Sequence, residues 1–351
     1  MKHAPESAAS ASAAPPVPLV VERAQAEKLV DEVLRQVVNA KDEAALAKAE
    51  TGALLDQSKT IQRLNGRNDA EVVRSEPWVD YLIPTEREQP GYPRSFVAQF
   101  RSMGKHDLAQ RAAGLYYFVQ EEAGGPWKAA AKSWAPDKPA PQPMPGPADE
   151  RLYGNWGFGA FSVRDAPVAV PARDEAGAAV LSPTAAKDRE VCGHYAEYLS
   201  FTAPDGEPKS EHFVAGKLTS DVVTAYNAEA KVKGWEGLRF RFAFKVSGVD
   251  LPVLRLADGK ALVTCTFTQT ARTDSKPGGN WDFSVGGTGK THLANNHAAI
   301  LLGGAPDARW RQTTIRRSVT ATFEVPAQGP SDVVGCNCLN PPVLTADGTP
   351  K

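Results

Sequence analysis

The chain repeats one order of local patterns, and this order restricts the folds that are open to it. In each half, apolar residues with helical spacing come first. Short β-rich runs separated by turn signals follow them, over residues 22–135 and again over 184–330. A length of 351 residues is usual for two domains, and each half is long enough to bury its own core. Helices followed by antiparallel strands predict an α+β fold, with the helices packed on one face of each sheet.

Composition divides the chain into five predicted segments. Six prolines between residues 136 and 147 indicate an extended spacer, which an aromatic and glycine-rich loop and a bridging hairpin follow. The predicted segments are a disordered Ala/Ser/Pro tether over residues 1–21, a first domain over 22–135, a bridge over 136–183, a second domain over 184–330 and a C-terminal tail over 331–351.

Local periodicity supports the first domain. A second helix is expected from Asp42, as its N-cap, to Gly52, with one further helical turn after it. One face of the first predicted helix carries Leu29, Val30, Val33, Leu34, Val37 and Val38. Four β-rich runs then predict an antiparallel meander, at residues 78–83, 95–100, 115–119 and 127–134.

The second domain shows a similar order of predicted helices and strands. Strict alternation over residues 238–244 predicts a strand with its aromatic side chains facing the core. An Asp258-Gly259 turn leads into a strand that contains Cys265, and a long strand is expected from Thr313 to Val325. Two helical stretches are expected before these strands, with apolar faces formed by Val191, Tyr195, Tyr198 and Leu199 and by Phe213, Leu218, Val222, Val223 and Tyr226.

Four segments also give the chain a family resemblance. They are Tyr92-Pro93-Arg94-Ser95-Phe96, Gly125-Pro126-Trp127-Lys128, the stretch from Asp174 to Val180, and Val325-Pro326-Ala327-Gln328-Gly329. With the helix-then-sheet order, they make the chain resemble a family of uncharacterised actinobacterial exported lipoproteins with tandem NTF2-like (cystatin-like) domains. The resemblance implies two such domains, each with helices on a curved antiparallel sheet. It also implies export and lipid anchoring, and no known activity.

The N-terminus and the cysteines bear on the compartment. Met1-Lys2-His3 is not followed by an apolar segment, and residues 7–18 resemble the tether of a mature lipoprotein. The disulfide candidates are Cys192, Cys265, Cys336 and Cys338. The alternative for Cys192 and Cys265 is a pair of buried thiols. We expect an extracytoplasmic protein, at the cell surface or secreted, with a cytoplasmic location as the alternative.

No assembled catalytic constellation is visible, although an apolar cavity is a known use of the NTF2-like fold. A carboxylate and a tyrosine in such a cavity can transfer protons, so Asp80 with Tyr81, or Tyr195 with Tyr226, are candidate pocket residues. The alternative is that they only pack. The glycine-rich loop at residues 286–291 resembles a phosphate-binding loop but has Ser284 at the first glycine position.

Charge and histidine placement limit the partners. The net charge of −1 argues against nucleic-acid binding through the overall field. A basic patch is expected at Arg309, Arg311, Arg316 and Arg317, with a charged sheet edge as the alternative. The histidines do not share a ligand spacing, so neither a metal nor a cofactor is expected.

The favoured hypothesis is a non-catalytic binding or scaffold protein of the bacterial cell envelope, with an envelope protein, a polymer or a small apolar ligand as partner. The alternatives are an NTF2-like enzyme or carrier and, more remotely, a nucleotide-binding protein.

Overall fold

The structure is a computed structural model, and it is α+β, as predicted, with two antiparallel sheets that each carry helices. It describes residues 17–65, 78–101, 112–139, 161–232, 234–285, 293–303, 308–338 and 341–351. Most of the proline-rich spacer and the whole glycine-rich loop at 286–291 lie outside these residues.

The first sheet is a four-stranded meander in the order β1-β2-β3-β4, as the sequence predicts. Its elements are α1 (Arg23–Asn39), α2 (Glu43–Ala49), α3 (Gly52–Asn65), β1 (Trp78–Leu82), β2 (Arg94–Phe100), β3 (Ala112–Gln120) and β4 (Trp127–Pro136). Helix α1 buries Val30, Leu34 and Val37 against the sheet, which confirms the predicted apolar face.

The helical boundary after α2 differs from the prediction. Asp42 caps α2 as expected, since its Oδ1 accepts a hydrogen bond of 2.8 Å from the Ala45 N–H. Helix α2 then ends at Ala49, with Glu50 as its C-cap, and Gly52 begins α3 with a φ of +57°. This left-handed conformation suits glycine and turns the chain sharply between two separate helices.

Among the described residues, the second sheet has nine strands, with β5-β12-β11-β9-β7-β6 as its main path. Its strands are β5 (Ser162–Val163), β6 (Phe201–Ala203), β7 (Leu238–Ser247), β8 (Leu254–Arg255), β9 (Ala261–Ser275), β10 (Phe283–Ser284), β11 (Arg309–Val325), β12 (Asp332–Cys336) and β13 (Val343–Pro350). Its helices are α4 (Ala185–Asp188), α5 (Glu190–Tyr198), α6 (Ser220–Glu229) and α7 (Leu293–Leu301).

Two sequence expectations for this half differ from the structure. Residues 331–351, expected to be a tail, supply β12 and β13, which pair with successive parts of β11. Phe213, expected in a helix, lies in a connection and forms an isolated bridge with Ser331. The predicted face of β7 is confirmed, because Leu238, Phe240 and Phe242 are buried in the core with α5 and α6.

The two sheets pack against each other through the faces that do not carry helices. Leu82, Val97 and Leu115 of the first sheet share one apolar cluster with Leu262 and Val334 of the second. Within this layer, the Tyr117 hydroxyl lies 2.6 Å from Thr264 Oγ1. The backbones approach closely at Gly335, where an added Cβ would lie 2.1 Å from the Trp134 carbonyl oxygen. The layers therefore run helices, sheet, sheet, helices.

Candidate functional site

A cleft of about 620 Å³ lies at one margin of the layer between the sheets. Its floor is apolar: Leu82 on β1, Leu115 on β3 and Leu262 on β9 lie at its base and are only 1–2 % exposed, while Ala113 and residues 168–172 give the accessible apolar surface. Residues 168–173 form a wall, in which Val170 is 68 % exposed. Strand alternation directs Leu82 and Leu115 away from the helices of the first sheet and toward the second sheet, where Leu262 meets them. Such an apolar floor suits the body of a small organic ligand.

Two ion pairs border this floor. Arg173 pairs with Asp80, and both side chains are about 30 % exposed. Arg101 pairs with Asp137 through both carboxylate oxygens, at a similar exposure. Guanidinium groups in this setting can bind a carboxylate, sulfonate or phosphate of a ligand. The cleft therefore combines an apolar surface with guanidinium groups whose carboxylate partners a ligand anion can replace.

Asp80 also connects three parts of the chain. Its Oδ1 accepts a hydrogen bond of 2.8 Å from the Tyr81 N–H and lies 3.4 Å from an Arg23 guanidinium nitrogen on α1. Arg173 donates in addition to the carbonyl oxygens of Gly177, at 2.6 Å, and of Tyr81, at 3.2 Å. These bonds hold the 168–173 wall against β1, so the carboxylate both lines the cleft and fixes its shape.

The predicted pair of Asp80 and Tyr81 does not come together in one pocket. Successive side chains of a strand point to opposite faces, so Tyr81 packs in the helix-side core while Asp80 lines the cleft. Burial raises the pKa of Tyr81 to about 12. The Arg23 guanidinium lies 5.6 Å from the centre of its ring. Tyr81 is thus a packing residue.

The other predicted pair, Tyr195 and Tyr226, does converge, in the core of the second half. The Tyr195 hydroxyl donates to the Leu218 carbonyl oxygen at 2.8 Å and lies 3.1 Å from Cys338 Sγ. The Tyr226 hydroxyl donates to the Cys338 carbonyl oxygen at 2.6 Å. Burial raises the pKa of both phenols well above the ordinary value. These bonds anchor α5 and α6 to the end of β12.

The four candidate cysteines form two disulfides. Cys192 on α5 is bonded to Cys265 on β9, across 73 residues of sequence. Cys336 is bonded to Cys338 within one short turn of the chain. The alternative that Cys192 and Cys265 are free buried thiols is therefore not what the structure contains. The first bond ties a helix of the second half directly to its sheet.

A buried carboxyl group that the sequence did not indicate lies in the first half. Glu50, at the end of α2, is 1 % exposed, and burial raises its pKa to about 8 despite a hydrogen bond with Ser58. Its Oε2 has no hydrogen-bond partner among the described residues. Burial raises the pKa of Tyr116 on β3 well above its ordinary value, and the charge of Glu50 raises it further. No spacing in the sequence marks this residue, since only the tertiary fold buries it.

The predicted arginines do not form one patch. Arg309 is paired with Asp282, and Arg311 and Arg316 are exposed. Arg317 faces Tyr226 and Glu229, and burial lowers the pKa of its guanidinium. Arginines meet instead on β7 and β9, where Arg239, Arg241 and Arg272 lie around Asp274. Alternation along β7 was visible in the sequence, but the partner on β9 was not.

Two histidines also come together that the sequence left apart. The rings of His194 and His212 are stacked, with centroids 4.0 Å apart. No group of three or more His, Cys, Asp or Glu side chains suited to a metal occurs in the part of the chain that the structure describes. Within the same residues, no helix is long and apolar enough to cross a membrane.

Comparisons with known proteins bear on the first half. A family model described as "Domain of unknown function (DUF8094)" matches residues 17–144. This range covers α1 to β4 and hence all of the first sheet with its helices. Neither the curated proteins nor the solved structures contain a match to the chain.

Proposed function

We propose that the chain is a non-catalytic binding protein of the bacterial cell envelope, whose two NTF2-like halves hold a ligand between their sheets. The observation that carries this proposal is the cleft with its leucine floor and its two ion pairs. The ligand class that fits is a small amphipathic molecule, with an apolar body against Ala113 and the 168–173 wall, above the leucines, and an anionic group at Arg101 or Arg173. A location outside the cytoplasm is supported by the two disulfides.

The ion pairs argue for binding rather than for chemistry in this cleft. Each guanidinium is matched by one carboxylate, and no nucleophile with an adjacent base lies among the described lining residues. A ligand anion that displaces Asp80 or Asp137 from its guanidinium replaces one charge-assisted hydrogen bond by another, and the displaced carboxylate, about 30 % exposed, is hydrated by water. This exchange gives selectivity for an anionic end group without a large desolvation cost.

The proposal is tested by comparing dye binding to the unsubstituted chain with dye binding to a variant in which a tryptophan fills the cleft. Ala113 lines the cleft beside Leu115 and is half-buried, so Ala113→Trp places an indole over the leucine floor. Val246→Trp is the matched control, because Val246 is 45 % exposed and does not line the cleft. The probes are the anionic dye 1-anilinonaphthalene-8-sulfonate and the neutral dye N-phenyl-1-naphthylamine, followed by fluorescence titration.

The expected result is saturable binding of both dyes to the unsubstituted chain, with the anionic dye binding more tightly. Ala113→Trp weakens binding of both dyes by roughly tenfold or more, since the apolar contact area is lost. Val246→Trp leaves both affinities unchanged. Equal affinities in all three proteins, measured on samples with the same unfolding midpoint, contradict a ligand site between the sheets.

A second candidate function rests on Glu50. A carboxyl group with a pKa near neutrality beside a tyrosine is the arrangement that general acid–base catalysis uses. An enzyme requires that small molecules reach this group. Labelling with a water-soluble carbodiimide and an amine at pH 7, followed by peptide mass spectrometry, measures whether small molecules reach Glu50. Modification of Glu50 at the rate of an exposed glutamate such as Glu122 favours the enzyme, and complete protection favours a structural role.

A further inference from the structure

The face of β7 and β9 opposite the core with α5 and α6 carries a cluster of arginines beyond the inter-sheet contact. Alternation along β7 puts Phe240 and Phe242 in the core and Arg239 and Arg241 on the opposite face. In the antiparallel register, Arg241 lies directly across from Arg272, and Arg239 lies across from Asp274. Like charges in directly opposed positions destabilise a sheet. The repulsion between Arg241 and Arg272 therefore requires a carboxylate beside them to offset it.

One carboxylate serves all three guanidinium groups. Asp274 accepts hydrogen bonds from Arg239, at 2.6 Å, and from Arg241, at 2.7 Å, and it lies 3.7 Å from Arg272 Nε. The Nε atoms of all three arginines have no hydrogen-bond partner among the described residues. Arg272 also donates to Gln312 on β11, at 2.9 Å. The guanidiniums are thus held in place but not neutralised.

The positive charge continues across the same face. Lys245 pairs with Thr268 on β9, and Arg316 on β11 pairs with Thr270, so both exposed cations lie on the arginine side of the sheet. The acidic residues in these rows are Asp274 and, on β13, Asp347 opposite Thr314. Five cations therefore face two carboxylates on the strands, in a chain whose overall charge is −1.

This face is separate from the cleft. Helix α3 contacts the sheet at Ser318, where Gln57 donates a hydrogen bond of 2.8 Å, and Leu262 of the cleft is ten residues before Arg272 on β9. Ten residues of strand span roughly 33 Å. The three arginine side chains are 34 %, 36 % and 43 % exposed, so a ligand can reach them.

We propose that this face binds a linear polymer of phosphate groups that carries no aromatic bases. Guanidinium forks match phosphate oxygens, and the threonines between them supply further hydrogen-bond donors. Proteins that bind single-stranded nucleic acid add aromatic side chains on which bases stack. Here the aromatic residues of β7 lie on the other face, in the core, while Ala243 and Thr270 occupy the centre of the basic surface. The centre of the surface therefore offers phosphate contacts without a ring on which a base can stack, and the exposed indole of Trp281 lies at its end, over Gly237.

The test measures binding of fluorescein-labelled inorganic polyphosphate by anisotropy, over a range of salt concentrations. Arg241→Gln/Arg272→Gln removes the opposed pair. Arg35→Gln/Arg255→Gln removes two exposed arginines elsewhere and is the matched control for net charge. Both arginines are more than one third exposed, and Arg239 still pairs with Asp274 in the first double variant, so its thermal unfolding midpoint is expected to change little. This midpoint separates a lost site from a lost fold.

The expected result is at least a tenfold loss of affinity in Arg241→Gln/Arg272→Gln and less than a twofold change in the control. The slope of log affinity against log salt falls by roughly one per lost phosphate contact. Equal losses in both double variants overturn the site, because they show attraction by overall charge. Tighter binding of a single-stranded DNA of equal charge, with the same dependence on Arg241 and Arg272, overturns the assignment to a base-free polymer.

Discussion

The buried carboxyl of Glu50 makes a sharp prediction for Glu50→Gln. The substitution keeps the shape of the side chain and removes its proton equilibrium. The folded-state pKa is raised from 4.5 to about 8 by burial, since the side chain is 1 % exposed and one oxygen has no hydrogen-bond partner among the described residues. The unfolded chain ionises Glu50 near its ordinary pKa. Folding therefore favours the protonated form.

The sign and size of the effect follow from proton linkage. Between pH 4.5 and pH 8 the unfolded state has lost the proton that the folded state still holds, so stability falls as pH rises. The ionisation of Glu50 then costs about 1 kcal/mol of unfolding free energy at pH 5 and about 4 kcal/mol at pH 8. Glu50→Gln is expected to gain about 3 kcal/mol relative to the unsubstituted chain over this interval.

Urea unfolding at pH 5, 6, 7 and 8, with the disulfides intact, measures the difference at each pH. Other titrating groups cancel in the comparison of the two proteins. Glu122→Gln, at an exposed position, is the matched control and is expected to follow the unsubstituted chain at every pH. If the unfolding free energy of Glu50→Gln changes with pH in parallel with that of the unsubstituted chain from pH 5 to pH 8, the Glu50 carboxyl is not buried in the folded state.

Two further predictions concern the covalent links and the glycines. Cys192→Ala/Cys265→Ala opens a link across 73 residues and is expected to cost about 4.4 kcal/mol by loop entropy. Cys336→Ala/Cys338→Ala, whose partners are 2 residues apart, is expected to cost about 1.2 kcal/mol. Equal losses in guanidinium unfolding refute that ranking. Gly114→Ala puts a Cβ 2.0 Å from the Phe100 ring and is expected to cost about 1–3 kcal/mol, while Gly193→Ala in α5 has open space and is expected to gain about 0.5–1 kcal/mol. If both substitutions shift the thermal unfolding midpoint in the same direction, the result contradicts the packing around β3.

Local patterns were sufficient for the elements whose signal lies within a few residues. The apolar face of α1 and the alternation of β7 reappear in the structure because periodicity decides which side of an element is buried. The same holds for the turn at Gly259, which has a φ of +87°. The order of the first meander followed from short connections between successive strands.

Long-range pairing was not readable in this way. The strands β12 and β13 share one neighbour, β11, and no local signal in residues 331–351 specifies that register. The arginine cluster depends on which residue of β9 faces Arg241, and the burial of Glu50 depends on how α2 and α3 meet the first sheet. The cleft arises only when the two sheets pack. The sequence indicated Asp80 as a candidate pocket residue, but Leu82, Leu115 and Leu262 appeared only as strand residues, without any sign that they meet.

A double-mutant cycle between Tyr117 and Thr264 tests the packing of the two sheets most directly. Their hydroxyl oxygens are 2.6 Å apart, on β3 and β9, and both side chains are buried between the sheets. Tyr117→Phe, Thr264→Val and the combined variant are compared by urea unfolding. Face-to-face packing gives a coupling free energy of about 1 kcal/mol. Strict additivity of the two single effects contradicts contact between the sheets and, with it, the ligand cleft that they form.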